Sequence, residues 1–150
     1  MLAQISFRPA SAQDFEFCER LYFTGMRQIM EQLNLDRNRQ IVIFKQQWIL
    51  SQVRILVDNG TDVGWMQGEM LGDGLFLKQL FVDGPCQNQG IGTQVMHQLI
   101  ADAERSGDPV LLHVVKINPA LRLYQRLGFR IIGEDDRKFF MKRDPGGTAA

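Results

Sequence analysis

Residues 75–100, LFLKQLFVDGPCQNQGIGTQVMHQLI, decide how the rest of the chain is interpreted. The stretch begins with a run of aliphatic and aromatic residues that ends at Val82, which predicts a mostly buried strand. Apolar residues then recur at helical spacing from Ile91, and Gly107 closes the predicted helix. Residues 87–93 therefore form a glycine-bearing loop that leads directly from a strand into a helix N-terminus.

The chemistry of this loop favours an anion. A helix N-terminus presents about four unpaired backbone N–H groups and the positive end of the helix dipole. Gly90 and Gly92 let a phosphate oxygen approach those amides without a Cβ in the way. Residues 84–101 contain no Asp or Glu that would compete for the site. The loop is thus predicted to bind phosphate, and an ordinary strand–turn–helix connection is the alternative.

The spacing distinguishes between the known kinds of phosphate loop. A P-loop ends in Gly-Lys-Ser/Thr, which does not occur here, and a dinucleotide-binding fingerprint requires a small residue where Val95 stands. The remaining pattern is Gln/Arg-x-x-Gly-x-Gly/Ala, which Gln87, Gly90 and Gly92 match. This pattern resembles the acetyl-CoA pyrophosphate loop of the GNAT superfamily of N-acetyltransferases.

A second motif follows downstream, in residues 118–129, NPALRLYQRLGF. Asn118 is suited to cap a short helix, Pro119 to occupy its first position, and Gly128 to end it in a left-handed conformation. The segment is similar to the other GNAT motif, in which an Asn opens a helix, a Tyr stands late in it and Gly-Phe begins the next strand. Tyr124 is that tyrosine.

Hydrophobic patterns along the chain predict the order βααβββαβαββ. The predicted elements are a strand at 3–8, helices at 15–33 and 38–52, strands at 53–57, 63–71 and 75–82, a helix from 91, a strand at 110–115, the helix after Asn118, and strands at 129–134 and 138–142. Residues 41–44 also suit a strand. The resemblance implies an α/β (α+β) fold with a mixed, mostly antiparallel sheet of six to seven strands. It places helices on both faces of the sheet and a splayed parallel pair at its centre.

Length and composition predict one domain, residues 1–143, followed by a disordered tail at 144–150. The 17 basic and 17 acidic residues cancel, which favours neither nucleic acid nor an anionic membrane as partner. No apolar run is long enough to span a bilayer. Cys18 and Cys86 are too few for a disulfide framework, so a cytoplasmic protein is expected.

The resemblance implies acetyl-CoA as cosubstrate, held in the gap between the splayed strands. Backbone groups of Leu80, Phe81 and Val82 would pair with the pantetheine arm, and Asn118 and Tyr124 would also contact the cofactor. The pyrophosphate would lie on the loop formed by Gln87, Asn88, Gln89, Gly90, Ile91, Gly92 and Thr93. Because Gln87 and Gln89 stand where relatives often carry Arg or Lys, this loop would rely mainly on amides and the helix dipole.

Three catalytic residues are expected from the resemblance. Tyr124 would protonate the thiolate that leaves, although a tyrosine that packs into the core with a tethered hydroxyl is the alternative. In the acetyltransferases of ribosomal protein N-termini, the general base is a Glu, and His113 occupies the matching position. His113 is therefore either a general base or a core histidine. Glu69 or Asp73, acting through water, are other candidates for the base, and Asn118 would hold such a water or the cofactor arm.

The acceptor is expected to lie against residues 24–48, where Met26, Met30, Phe44 and Trp48 line either an amine pocket or the core. Asp36 and Glu31 are candidate partners of its ammonium group. The histone-type base position is taken by Phe76, which cannot accept a proton. Lys116, Arg122 and Arg126 either bind the nucleotide end of the cofactor or form a solvated face.

The sequence thus predicts an N-acetyltransferase that transfers an acetyl group directly to a primary amine of a small molecule or a peptide. The alternative is a non-catalytic acyl-CoA sensor or interaction module on the same fold. The acceptor, the length of the acyl group and a homodimer through edge strands are left open.

Overall fold

The computed structural model describes residues 4–146 and contains the predicted helices and strands in the predicted order. The strands are β1 Ile5–Pro9, β2 Val53–Asp58, β3 Thr61–Leu71, β4 Gly74–Val82, β5 Val110–Val115, β6 Arg130–Glu134 and β7 Lys138–Arg143. The helices are α1 Phe15–Gln32, α2 Arg37–Gln47, α3 Ile91–Ser106 and α4 Ala120–Arg126. Within this range, no helix combines the length and the apolar character needed to cross a membrane.

The strands form one sheet in the order β1-β2-β3-β4-β5-β7-β6. The pairs β1–β2, β2–β3, β5–β7 and β6–β7 are antiparallel, whereas β4 and β5 run parallel. The β4–β5 ladder consists of Leu75–Val110, Phe76–Leu111 and Leu77–Leu112 and ends there. This confirms the predicted mixed, mostly antiparallel sheet with a splayed parallel pair at its centre, and the part of the sheet within residues 4–146 has seven strands.

Residues with left-handed backbone conformation stand where the sequence places the ends of elements. Asn59 and Gly60, with φ of 50° and 83°, form the two-residue turn of the β2–β3 hairpin. Asn34 follows α1 with a φ of 52°, and Gly107 follows α3 with a φ of 72°. The local turn and cap chemistry was therefore sufficient to place these boundaries.

The second helix is shorter than predicted. α2 ends at Gln47 because Trp48 adopts an extended conformation, with φ −73° and ψ 112°. Its ring then meets the ring of Phe15 edge-on, with centroids 5.2 Å apart. A 3₁₀ turn at Leu50–Gln52 completes the segment that was predicted to be helical. The alternative of a strand at 41–44 is wrong, since these residues lie within α2.

The chain divides into two compact units. The first comprises the residues up to 67 together with 79–92, and its core is a network of aromatic rings. Phe44 is 2% exposed, and its ring lies 4.8 Å from that of Tyr22 and 6.0 Å from that of Trp65. Met30 is 6% exposed in the same cluster. Phe44 and Met30 therefore belong to the core and do not line an amine pocket.

The second unit comprises residues 68–78 and those from 93 onward. One turn of this unit depends on a glycine. Gly74 has a φ of 138°, and a Cβ there would stand 2.4 Å from the carbonyl oxygen of Pro109.

Two residues of the tail that was predicted to be disordered, residues 144–150, form hydrogen bonds. Asp144 accepts a hydrogen bond from Arg130 at 2.8 Å, and the Gly146 N–H donates to Glu104 at 2.8 Å. Residues 147–150, and residue 3 of the predicted first strand, lie outside the described residues.

Candidate functional site

The predicted phosphate loop is built by backbone conformation. After β4, a 3₁₀ turn at Gly84–Cys86 and two left-handed residues, Asn88 with φ 63° and Gly90 with φ 77°, bring the chain into α3. A Cβ on Gly90 or on Gly92 would meet no other heavy atom within 4 Å. The absence of a side chain at Gly92 is thus not required for packing or for φ. It leaves open space beside the first amides of the helix.

The glutamines of the loop fold back onto the loop itself. The Gln87 side-chain amide donates to the carbonyl of Val82 at 2.9 Å, and that of Gln89 donates to the carbonyl of Pro85 at 3.4 Å. Both side chains therefore support the turn, and the groups of the loop that remain candidates for binding an anion are backbone N–H groups. Sequence reasoning did not find this role of Gln87.

The end of β4 offers fewer free backbone groups than expected. The carbonyl oxygen of Phe81 would stand 2.3 Å from a Cβ on Gly64 of β3, and the Asp83 N–H donates to Val63 of β3 at 2.8 Å. Because backbone groups alternate in direction along a strand, those of Leu80 and Val82 point to the opposite edge of β4. At that edge Gln87 already donates one hydrogen bond to the Val82 carbonyl.

The second motif folds as predicted around its cap. The Asn118 side-chain oxygen accepts a hydrogen bond from the Ala120 N–H at 2.9 Å. Pro119 has helical dihedral angles, and α4 itself begins one residue later than predicted, at Ala120. Gly128 ends the segment with a φ of 95°. The predicted cap and stop are both confirmed.

Tyr124 is held by its ring and not by its hydroxyl. The residue is half-buried, and its ring packs against Phe129 with centroids 5.9 Å apart. Burial raises the pKa of Tyr124 above its usual value of 10.0, so the phenol keeps its proton at neutral pH. Within residues 4–146 the hydroxyl has no hydrogen-bond partner. The packed ring of the core alternative is thus present, but its tethered hydroxyl is not found among the described residues.

His113 lies on the face of β5 opposite to the buried Leu112 and Val114, as the alternation predicted. Its ring stands between those of Phe76, 4.8 Å away, and Phe140, 4.4 Å away. Burial, together with the charge of Lys138, lowers the pKa of His113 below its usual 6.5, and the charge of Asp135 opposes this. The imidazole is thus mainly neutral at pH 7, and since its burial is only partial it can accept a proton.

The other candidates for the base differ in their partners. Glu69 forms an ion pair with Lys78 at 2.9 Å, while Asp73 is exposed in the β3–β4 turn.

Of the cations suggested for the nucleotide end of the cofactor, Lys116 is paired with Glu134 at 2.5 Å. Arg122 and Arg126, the other two, are exposed on α4.

An open groove of about 600 Å³ lies between α1 and α2 in the first unit. It is lined by Glu16, Glu19, Arg20, Phe23, Thr24, Arg27, Arg37 and Ile41. The guanidinium of Arg37 stands 4.9 Å from the ring centre of Phe23.

Of the carboxylates suggested for the acceptor, Glu31 pairs with Arg27 at 3.3 Å, and Asp36 caps α2 through the Asn38 N–H at 3.3 Å. Glu16 and Glu19, which sequence reasoning missed, are the carboxylates of the groove.

No cluster suited to a metal ion, meaning three or more His, Cys, Asp or Glu side chains, occurs in the described part of the chain.

Comparison with known families gives one match. The model for the acetyltransferase (GNAT) domain matches residues 50–131, which is more than half of the chain. The matched range contains the loop, His113, Asn118 and Tyr124. A search among curated proteins found no relative that matches the sequence.

Solved structures share the fold at low sequence identity. The PaiA N-acetyltransferase from Thermoplasma acidophilum, solved with coenzyme A, has a TM-score of 0.76 at 14% identity, with 94% of this chain and 99% of that chain covered. An acetyltransferase from Thermus thermophilus has a TM-score of 0.73 at 16% identity, covering 96% and 99%. The ribosomal-protein-S18-alanine N-acetyltransferase from Escherichia coli has a TM-score of 0.67 at 19% identity, covering 98% and 96%. At these identities the likeness concerns the fold alone.

Proposed function

Because this chain belongs to the GNAT family of acetyltransferases, whose members use acetyl-CoA, we propose that it transfers the acetyl group directly to a primary amine of a small molecule or a peptide. In this reaction the amine nitrogen attacks the thioester carbonyl, a C–N bond forms and the C–S bond breaks. The amine loses one proton to a base, and the CoA thiolate gains one from an acid. No acyl-enzyme is formed.

The observation that carries this proposal is the state of Tyr124. Its phenol is protonated and has no hydrogen-bond partner among the described residues, and its position in the Asn-to-Phe motif matches the family's acid. Because the pKa of this phenol lies above the reference thiol value of about 8.5, proton transfer to a free thiolate is uphill, and the proton would move together with cleavage of the C–S bond. Solvent then reprotonates the tyrosine. A sensor that only binds acyl-CoA has no use for such a group.

We assign the role of base to His113. It is neutral at pH 7, exposed, and flanked by two rings that fix its orientation. Glu69 is a weaker candidate because its carboxylate is already paired with Lys78. The imidazole would accept the amine proton directly or through one water molecule.

The cofactor would be bound mainly by the backbone. The amides of residues 88–93 at the start of α3 are proposed to hold the pyrophosphate. The Leu80 backbone and the Val82 N–H are proposed to pair with the pantetheine arm. Phe81 is left out of that pairing, because its carbonyl is directed at β3. Asn118 would contribute its side-chain N–H₂ to the cofactor arm or to a water, since its oxygen caps α4.

The groove between α1 and α2 is proposed to take part in acceptor recognition. Glu16 and Glu19 offer carboxylates to an ammonium group, and Phe23 offers an apolar surface. We further propose a cytoplasmic location, consistent with the two free cysteines, Cys18 and Cys86.

The proposal is tested by incubating the protein with acetyl-CoA and a panel of amines and N-terminal peptides, with thiol release and mass spectrometry as readouts. We expect an acetylated amine, sequential kinetics and no covalent acetyl adduct on the protein. A ping-pong pattern with an acetyl adduct would contradict direct transfer. If acetyl-CoA binds tightly but no amine raises the rate of thiol release above that measured without an amine, the acyl-CoA sensor is favoured.

Cofactor binding is measured separately by thermal unfolding with acetyl-CoA, CoA, ATP and NAD. A ligand at about 100 times its Kd adds about 2.7 kcal/mol to the free energy of unfolding. We expect a rise in Tm with acetyl-CoA and CoA and none with ATP or NAD. Equal shifts with all four ligands would indicate a general phosphate site.

A further inference from the structure

The helix that carries Tyr124 is weakly anchored along its length. α4 has seven residues, and none of them is fully buried. Helices this short are marginal without tertiary support. Apart from the contact of its ring with Phe129, the orientation of Tyr124 therefore depends on what holds the two ends of α4. Asn118 holds the first end through the Ala120 N–H.

The second end is held by a residue that lies far away in sequence. Arg143 stands at the end of β7, and only 12% of its side chain is exposed. Its Nε donates to the carbonyl oxygen of Leu127, the C-cap residue that follows α4, at 2.8 Å. A guanidinium there satisfies one of the carbonyls that a helix leaves unpaired at its C-terminus and complements the negative end of the helix dipole.

The same guanidinium is fixed by a carboxylate on another helix. Its Nη1 donates to Glu104 of α3 at 2.6 Å. Glu104 also accepts the Gly146 N–H, at 2.8 and 2.9 Å from its two oxygens. The Arg143 contact is the largest cause that lowers the pKa of Glu104, so the carboxylate is ionised at neutral pH. Arg143 thereby joins the C-terminal end of α4 to the body of α3.

We infer that Arg143 is a positioning residue for catalysis, which holds the C-terminal end of α4 so that the Tyr124 hydroxyl is presented to the leaving thiolate. The inference rests on the proposed role of Tyr124 as the acid. The variant to test is Arg143→Met, because a methionine side chain keeps the aliphatic stem but loses the hydrogen bonds to Leu127 and Glu104. Arg130→Met is the matched control, because it removes a cation that pairs with Asp144 in the same region and that donates to no residue of α4 within residues 4–146.

The first measurement is steady-state kinetics. For Arg143→Met we expect kcat to fall on the order of tenfold or more, since a displaced catalytic group is costly even when the mutation is remote. We expect KM for acetyl-CoA to stay within about twofold of the wild type, because the hydrogen bonds that are lost join Arg143 to Leu127 and Glu104. Arg130→Met should change neither. If Arg143→Met does not give folded protein, Arg143→Lys, which keeps the charge but not the two-pronged geometry, is measured in the same way.

A double-mutant cycle separates positioning from a general structural role. In a Tyr124→Phe background, Arg143→Met should lower kcat by less than about twofold, because the group that it positions is already lost. An equal fold-loss in both backgrounds would overturn the inference. If Tyr124→Phe by itself leaves kcat unchanged, then the proposed acid fails, and with it the catalytic part of this inference.

Hydrogen exchange tests the holding of α4 without reference to activity. In Arg143→Met, amide exchange in residues 123–128 should accelerate by about tenfold or more, while exchange in the β2–β3 hairpin is unchanged. Unchanged exchange in α4 would overturn the inference even if kcat fell. Accelerated exchange together with an unchanged kcat in Tyr124→Phe would show that the proposed function, and not the α4 contact, was at fault.

Discussion

The loop before α3 and the helix α4 are both built from short sequence motifs, but they work in opposite ways. In the loop the side chains turn inward to support the turn, as Gln87 does at the Val82 carbonyl, and backbone N–H groups are left open. In α4 the backbone is capped at both ends, by Asn118 and Arg143, and the hydroxyl of Tyr124 has no hydrogen-bond partner among the described residues. A substitution in the loop should therefore act through the space it fills. A substitution around α4 should act through the position or chemistry of one hydroxyl.

The largest expected effect is at Tyr124. Tyr124→Phe removes the proton donor but keeps the ring packed on Phe129, so kcat should fall about 100-fold or more while the Kd for acetyl-CoA stays within about twofold. Kinetics and calorimetry check the two parts. A kcat within about threefold of the wild type would mean that the hydroxyl of Tyr124 has no chemical role, and the contrast with the loop would be lost.

The next effect concerns His113 and its pH dependence. Because the pKa of His113 lies below 6.5, the rate should fall only as the pH drops through that lowered pKa, where the imidazole becomes protonated. His113→Gln should lower kcat/KM at about pH 7 by roughly tenfold to 100-fold. It should also remove the fall in rate at low pH, which is the acid limb of the pH–rate profile. His97→Gln, on the exposed side of α3, is the control and should change neither. An unchanged acid limb in His113→Gln would transfer the role of base to another group.

The loop is tested by filling its open space. Gly92 needs neither a positive φ nor close packing, so Gly92→Val should leave Tm nearly unchanged. If its missing Cβ makes room for the pyrophosphate, the Kd for acetyl-CoA should rise roughly tenfold, which corresponds to about 1.4 kcal/mol. Gly72→Val, at another open glycine in the β3–β4 turn, is the matched control. Equal affinity in the wild type and Gly92→Val would place the anion elsewhere.

The smallest effect is on stability, at the first end of α4. Asn118→Ala removes the acceptor for the Ala120 N–H and should cost about 1 kcal/mol, or about 2–4 °C in Tm for a chain of this size. Asn118→Asp keeps the cap and should retain Tm. If the Asn118 N–H₂ group binds the cofactor arm or a water, Asn118→Asp should nevertheless lower activity. If Asn118→Asp has the activity and the Tm of the wild type, the role of Asn118 is limited to capping α4.

Much of this molecule follows from local sequence. The positive-φ positions at Asn34, Asn59, Gly60 and Gly107 ended the elements where turn and cap chemistry placed them. Local reasoning failed where a distant partner intervened. Apolar spacing continued the second helix to residue 52, but Trp48 leaves the helix and packs against Phe15. The spacing of apolar residues indicates which side chains are buried, but it does not indicate which residues they contact in the folded chain.

The sequence by itself determined the family, the loop, the capped helix and the position of Tyr124 within that helix, because each is encoded by residues within a few positions of one another. Only the tertiary structure decided that Gln87 supports a turn, that the Phe81 carbonyl is directed at β3, and that Arg143 joins α3 to α4. The physical reason is that hydrogen bonds of this kind depend on distances of about 3 Å between atoms. Those distances are set by how the chain folds and not by the spacing of its residues.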